Sequence, residues 1–268
     1  MLQVARGVVD VWARPARGAD DDRLTQALLG QAATVLETRG EWARVRLPDY
    51  EGWVERACLA SPAAAATAEA LAVTALAAPL YAGPEGDVAR DEAYLGTALP
   101  LLGRDGARWR VALPGGQPAW LARDAGEARP RGAAYPPRPA AHAVAVARQL
   151  LGSPYLWGGG TVRGIDCSAL VQLAYAVSGH TLPRDADQQW AALPIPVARD
   201  ALVAGDLLFF ARDGAIVHVA LALGGAAYLH ALGEPPRGVC IQSLAPGAPN
   251  YNARLDALYL GARRVVPA

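Results

Sequence analysis

A chain of 268 residues is too long for one small domain and suits two or three. Its hydrophobic content of 53%, with 28 Gly and 21 Pro, indicates a folded, turn-rich protein with ample core. The 25 basic residues, all Arg, balance 25 acidic ones, so neither nucleic acid nor an anionic membrane is an expected partner.

At the start, residues 1–15 show no basic segment followed by an apolar run, and Asp10 interrupts the one candidate, so no export signal is expected. The Ala-rich stretch 57–84 carries Pro62, Glu69 and Pro79, which argues against a membrane span. Cys58, Cys167 and Cys240 are odd in number and far apart, unlike a disulfide framework. A reducing, cytoplasmic location is expected.

The first half contains an internal repeat. Val11-Trp12-Ala13-Arg14-Pro15 is echoed by Leu80-Tyr81-Ala82-Gly83-Pro84, and Leu29-Gly30 by Leu95-Gly96. Val45-Arg46-Leu47-Pro48 returns as Val111-Ala112-Leu113-Pro114, an offset of 66 residues, and Gly52-Trp53-Val54 as Ala119-Trp120-Leu121 after a one-residue slip. So long a period means duplicated domains rather than a solenoid. Short alternating runs between Gly, Pro and Asp turns predict small β-barrels, similar to bacterial SH3-like domains. The copies differ at one turn: the first has Asp49-Tyr50-Glu51-Gly52-Trp53, whereas the second has no tyrosine there. Domains are expected at 1–63 and 64–126, then a Pro- and Arg-rich linker at 127–140 and a third domain at 141–268.

In that third domain a helix is expected from about 141 to 151, with His142 facing solvent. A loop containing Gly158, Gly159, Gly160 and Gly164 then leads into Asp166-Cys167-Ser168. Leu170, Val171, Leu173, Ala174 and Val177 fall on one helical stripe, and Gly179 supplies the stop. Cys167 thus sits in a first helical turn, where unpaired N–H groups and the helix dipole favour a thiolate. The alternative is a buried structural cysteine. Asp166 reads as the N-cap, with a charge that should oppose thiolate formation.

Strands are expected at 207–211, 216–223, 227–232, 239–244 and 258–265, giving one helix followed by an antiparallel sheet, an α+β pattern. His218 and His230 fall on neighbouring strands. They could form a Cys–His–His line, in which His218 takes the Cys167 proton and His230 holds the first ring in its working tautomer. A metal site of Cys167, His218, His230 and Cys240 is conceivable, but no short C-x-x-C or H-x-x-x-H spacing supports it, and no metal or cofactor is expected.

The Y-x-W-G-G…G-x-D-C-S-x-L-V block, L-P-R-D, G-D-L-x-F-F, H-V-A-L and the later L-H resemble, in order, the NlpC/P60 family of papain-like cysteine peptidases that act on bacterial cell-wall peptides. Residues 141–268 carry the resemblance. It implies a multidomain fold of two all-β SH3-like barrels followed by an α+β papain-like domain, with Cys167 as nucleophile, His218 as base and His230 as orienter. It also implies that the Tyr155 hydroxyl, with the Cys167 N–H, serves the oxyanion. Ala169 stands where family members usually have glycine.

Two SH3-like domains ahead of such a domain resemble the γ-D-glutamyl-L-diamino-acid endopeptidases, which use the free N-terminal L-alanine of a murein stem peptide. The resemblance assigns Tyr50, Asp185 and Ser168 to the substrate amine, since a buried ammonium needs a carboxylate partner. The expected function is hydrolysis of the γ-D-Glu–diamino acid bond of L-Ala-γ-D-Glu-diaminopimelate-type peptides in cell-wall recycling. The alternatives are a non-catalytic peptidoglycan-binding protein and a thiol amidase or acyltransferase acting on another acyl substrate.

Overall fold

The computed structural model describes residues 1–19, 22–64 and 67–265. Ala65 and Ala66, beside the boundary expected between the repeats, lie outside the described residues, as do residues 266–268. The chain divides into two units, Met1–Ala133 and Ala134–Ala268.

The first unit holds the duplication. Its first sheet comprises β1 (Leu2–Val4), β2 (Val8–Trp12), β3 (Arg23–Leu28), β4 (Ala32–Arg39), β5 (Trp42–Arg46), β6 (Glu51–Glu55) and β7 (Leu59–Ala60). Its second comprises β8 (Glu69–Val73), β9 (Ala77–Tyr81), β10 (Ala89–Tyr94), β11 (Ala98–Asp105), β12 (Arg108–Ala112), β13 (Pro118–Ala122) and β14 (Gly126–Pro130). The strand orders, β3-β2-β6-β5-β4-β1-β7 and β10-β9-β13-β12-β11-β8-β14, are the same pattern seven strands apart. Trp12 pairs with Trp53 in one sheet as Tyr81 pairs with Trp120 in the other. Gly30 and Gly96 both adopt left-handed φ, 82° and 90°, a turn that other residues enter only with strain.

Alternation does the packing. In β3 every second residue, from Arg23, is buried, and Val9, Val11, Val45 and Val54 meet in the first core. Leu71, Leu80, Leu99, Trp109, Val111 and Leu121 form the second core, which Leu29 from the turn after β3 also joins. Each such aliphatic side chain stabilises by about 1.5–3 kcal/mol on burial. Gly7 N–H donates to Asp91 at 2.9 Å across the two sheets. The stretch expected to begin a linker at 127 instead continues as β14, pairing with β8 from Gly126↔Val73 to Pro130↔Glu69. Its backbone N–H and C=O groups find partners there despite a composition that reads as extended coil.

The second unit contains α1 (Ala140–Gln149), β15 (Gly160–Thr161), β16 (Gly164–Ile165), α2 (Cys167–Ala176) and α3 (Ala186–Ala192). It continues with β17 (Ile195–Val197), β18 (Leu207–Arg212), β19 (Ala215–Gly224), β20 (Ala227–Leu232), β21 (Gly238–Ser243), α4 (Ala253–Leu258) and β22 (Tyr259–Arg264). Six strands form an antiparallel sheet in the order β17-β22-β18-β19-β20-β21, with α2 packed against β19 and β20. In α2, Leu170, Val171 and Ala174 are buried as the stripe requires, but Tyr175 takes the fully buried place expected for Leu173. The Tyr175 hydroxyl donates to Gly205 O at 2.5 Å, which lets a phenol sit in the core. His142 is half-buried rather than solvent-facing, because Nδ1 meets Ser178 Oγ at 2.8 Å. The expected strand 258–265 starts one residue later, because Asn252 caps a short helix that runs to Leu258. Among the described residues no helix is long and apolar enough to cross a membrane.

Candidate active site

Cys167 is the first residue of α2, and Asp166 is its N-cap, accepting the Ala169 N–H at 2.8 Å. The glycine loop folds back onto the same carboxylate: Gly158, at φ 69°, donates its N–H to Oδ2 at 3.0 Å. A Cβ on Gly159 would lie 2.5 Å from the Gly164 carbonyl oxygen, so only glycine permits this crossing. Loop and helix tip are therefore one construction centred on Asp166.

That carboxylate is buried, and burial of a charge demands a partner. Arg184 supplies it in bidentate form, with Nη1 to Oδ1 at 3.0 Å and Nη2 to Oδ2 at 2.7 Å. Arg184 is only 3% exposed and also donates to Ser168 Oγ at 2.9 Å. The sequence had marked L-P-R-D as a motif without giving its arginine a task. The signal was there in the buried acid next to the cysteine, which needed a cation.

Opposite the helix tip lies β19. A bulge between its pairings Phe210↔His218 and Ala211↔Ile216 breaks the alternation just before His218 and re-aims its ring. The Phe210 ring packs on it at 5.5 Å. His218 Nε2 lies 2.8 Å from Nδ1 of His230, a fully buried residue of β20. The Val219 N–H bonds to the Cys167 sulfur, which sets the nucleophile beside the residue following His218. With Nε2 engaged by His230, Nδ1 is the ring nitrogen left for the thiol. The two histidine nitrogens face each other rather than a shared ion, and among the described residues no group of His, Cys, Asp and Glu is arranged to hold a metal.

The electrostatics of the site are set by burial. Burial pushes the Cys167 thiol up to about 12 and Asp166 adds to the rise, while the Val219 N–H, Arg184 and the Ser168 N–H oppose it. Burial also takes His218 well below the usual histidine range, helped by His230 and Arg254, and takes His230 down to about 4. Burial thus pushes both groups toward their neutral forms, against the pull of the helix tip on the sulfur. Desolvation outweighs the partial charge of one helix terminus. Cys167 nevertheless keeps part of its surface open.

Tyr155 bridges to Ile165, and its ring fills the space beside Gly233, where a Cβ would meet Cε1 at 3.0 Å. Burial first, then Cys167 and Asp166, raise the phenol, so it stays protonated and able to donate near the sulfur.

A relative from Bacillus cereus named gamma-D-glutamyl-L-lysine dipeptidyl-peptidase is 32% identical over 98% of this chain and 84% of its own length. The NlpC/P60 family pattern matches residues 152–249, and that of the bacterial dipeptidyl-peptidase Sh3 domain matches 14–59. This chain belongs to the NlpC/P60 family.

It is accordingly a hydrolase of a cysteine peptidase family. The crystal structure of an NlpC/P60 family protein from Bacillus cereus is similar to it at a TM-score of 0.86 and 28% identity, covering 99% of each chain. A second relative of the same dipeptidyl-peptidase name, from Bacillus subtilis, is 32% identical over 87% of this chain and 79% of its own.

Of the three residues expected at the substrate amine, Ser168 and Asp185 belong to the second unit and Tyr50 to the first. In the NlpC/P60 unit, the Ser168 hydroxyl donates to Asp166 Oδ1 at 3.2 Å and accepts from Arg184, inside the ion-pair cage. Asp185 occupies the N-cap position of α3, yet its carboxylate makes no capping bond and accepts from Gln188 at 3.2 Å. Gln189, missed in the sequence, ties this segment to α2: its amide donates to Ser168 O at 3.0 Å and Pro183 O at 2.9 Å. Tyr50 lies in the first barrel, where its carbonyl accepts the Leu47 N–H at 2.8 Å in the turn before β6.

Proposed function

We propose that this chain hydrolyses the γ-D-glutamyl–diamino acid bond of free murein stem peptides bearing an N-terminal L-alanine. The carrying observation is the Cys167 sulfur at the tip of α2, bonded by the N–H of Val219, the residue next to His218, whose ring lies 2.8 Å from His230. The relatives named above, similar over most of this chain, support the bond and substrate class.

The steps follow from the groups present. As Sγ attacks the γ-glutamyl carbonyl carbon, its proton passes to His218 Nδ1. The oxyanion is met by the Tyr155 hydroxyl and by the Cys167 N–H, which has no partner carbonyl within its own helix. The imidazolium then protonates the departing amine of the diamino acid. Water, deprotonated by the same ring, attacks the thioester and releases L-Ala-γ-D-Glu and the free thiol. His230 steadies the charged ring at the two moments when it carries two protons.

Asp185 and Ser168 are assigned, as the resemblance implies, to the substrate ammonium. The role of Tyr50 at the same amine rests on the resemblance alone. A cytoplasmic recycling role fits a substrate that is a freed peptide.

The test is product mass on L-Ala-γ-D-Glu-diaminopimelate, with the N-acetylated peptide in parallel. Release of L-Ala-γ-D-Glu from the free peptide, lost on acetylation, is expected. Equal turnover of both would remove the amine recognition. No cleavage of either, with binding to sacculi retained, would favour a wall-binding protein instead.

A further inference from the structure

Antiparallel pairing of β20 with β21 sets His230 opposite Cys240 and Tyr228 opposite Gln242. Side chains of paired residues share a face, so Gln242 stands diagonal to His230 on the side where the histidines meet. The His230 ring uses Nδ1 on His218, which leaves Nε2, 3.5 Å from Cys240 Sγ, as the nitrogen for the side-chain hydrogen bond with Gln242 that acts to raise this ring. Which of its nitrogens carries the proton therefore depends on which end of the Gln242 amide it meets.

Asn252 decides that end. As the N-cap of α4 it accepts the Leu255 N–H on Oδ1 at 3.0 Å, so its other end is the NH2 group. That Nδ2 donates to Gln242 Oε1 at 2.7 Å. A carbonyl oxygen has two lone pairs, so the same Oε1 is free in its second to accept from a protonated His230 Nε2, which it could not do from a bare one. His230 Nδ1 is then a lone pair, which accepts the Nε2–H of His218, and His218 Nδ1 is left bare toward the thiol. Cys240 could reverse the chain by donating its S–H to Nε2, but a thiol is the weaker donor and an amide oxygen cannot donate at all.

We propose that Gln242 and Asn252 are positioning residues that select the working tautomer of both histidines, so that the cap of α4 orients the base acting on Cys167. This rests on the peptidase reading for the identity of the base. Loss of the Asn252 donor frees the amide to flip. Its NH2 would then donate to His230 Nε2, and the protons would shift to place N–H, rather than a lone pair, at His218 Nδ1.

Asn252→Asp separates the two tasks of the residue, since a carboxylate still caps Leu255 but cannot donate to Gln242. The expected result is a kcat lower by roughly 10- to 100-fold, by analogy with the outer partners that orient metal-binding histidines, with KM and Tm close to those of the parent. Gln242→Glu is the complementary variant. Its acceptor-only carboxylate keeps the tautomer, so activity should remain within about threefold and the acid limb of the pH profile should move upward. Long-range proton–nitrogen NMR on nitrogen-15-labelled histidines should show Nε2–H on both rings in the parent and Nδ1–H in Asn252→Asp.

Unchanged kcat or an unchanged NMR tautomer in Asn252→Asp would overturn the proposal, and so would a Gln242→Glu variant as impaired as Asn252→Asp. The NMR reading needs no substrate, so an inert tripeptide with the stated tautomers would count against the substrate reading alone.

Discussion

The two units solve opposite problems with the same elements. Apart from Arg23, the barrels bury no charged residue among those described, and at their surface Arg39 lies over Trp53 and both Arg104 and Arg123 over Trp109. The NlpC/P60 unit buries its polarity: of the buried polar residues among those described, three lie in the first unit and twelve in the second, Asp166, Arg184, His218 and His230 among them. Buried charge and imidazole cost stability unless every group is partnered, so their concentration around Cys167 marks where structure serves chemistry. Symmetry teaches the same lesson. The two barrels repeat one strand order, whereas among the described residues of the second unit nothing repeats the helix tip or the histidine pair.

The sharpest test of this contrast is Cys167→Ala, expected to lower turnover by on the order of 10^4-fold or more while the melting curve barely moves. Retained turnover would mean that the chemistry lies elsewhere. Next comes Arg184→Ala, which strands the Asp166 carboxylate and should cost about 3–5 kcal/mol in urea unfolding of the second unit. A loss below about 1 kcal/mol would mean that the cage is not a true buried pair.

Acid should also divide the units, because all four histidines lie in the second. Both His218 and His230 have folded-state pKa values below the ~6.5 of an unfolded histidine, so the unfolded chain takes up protons first as pH falls. Their contribution is complete above about pH 6.5 and drains away as pH falls toward the folded values, about 4 for His230. Each ring adds a slope of up to ~1.4 kcal/mol per pH unit, and His230→Gln should remove one share. Hydrogen exchange at pH 7 and pH 5 would read this unit by unit. Equal weakening of the barrels would break the comparison.

The smallest effect belongs to the barrel surface. Arg39→Ala, losing an exposed stack on Trp53, should cost no more than about 1 kcal/mol of barrel stability and leave turnover of the tripeptide unchanged.

Much of this was legible in the residues themselves. The repeat, its paired turn glycines, the stripe of α2 and the strands carrying both histidines are local patterns, because periodicity and turn chemistry act over a few residues. The positions of Cys167 and Asp166 at a helix start follow from the same short-range rules. Folding alone revealed what depends on distant partners: Arg184 closing on Asp166, the bulge that turns His218, β14 completing a sheet where composition suggested a tether, and the Asn252–Gln242 link behind His230. The ionisation of the sulfur belongs here too. A helix terminus is a local feature that favours charge, but desolvation is set by everything packed around the atom, and only the assembled unit determines how much of that there is.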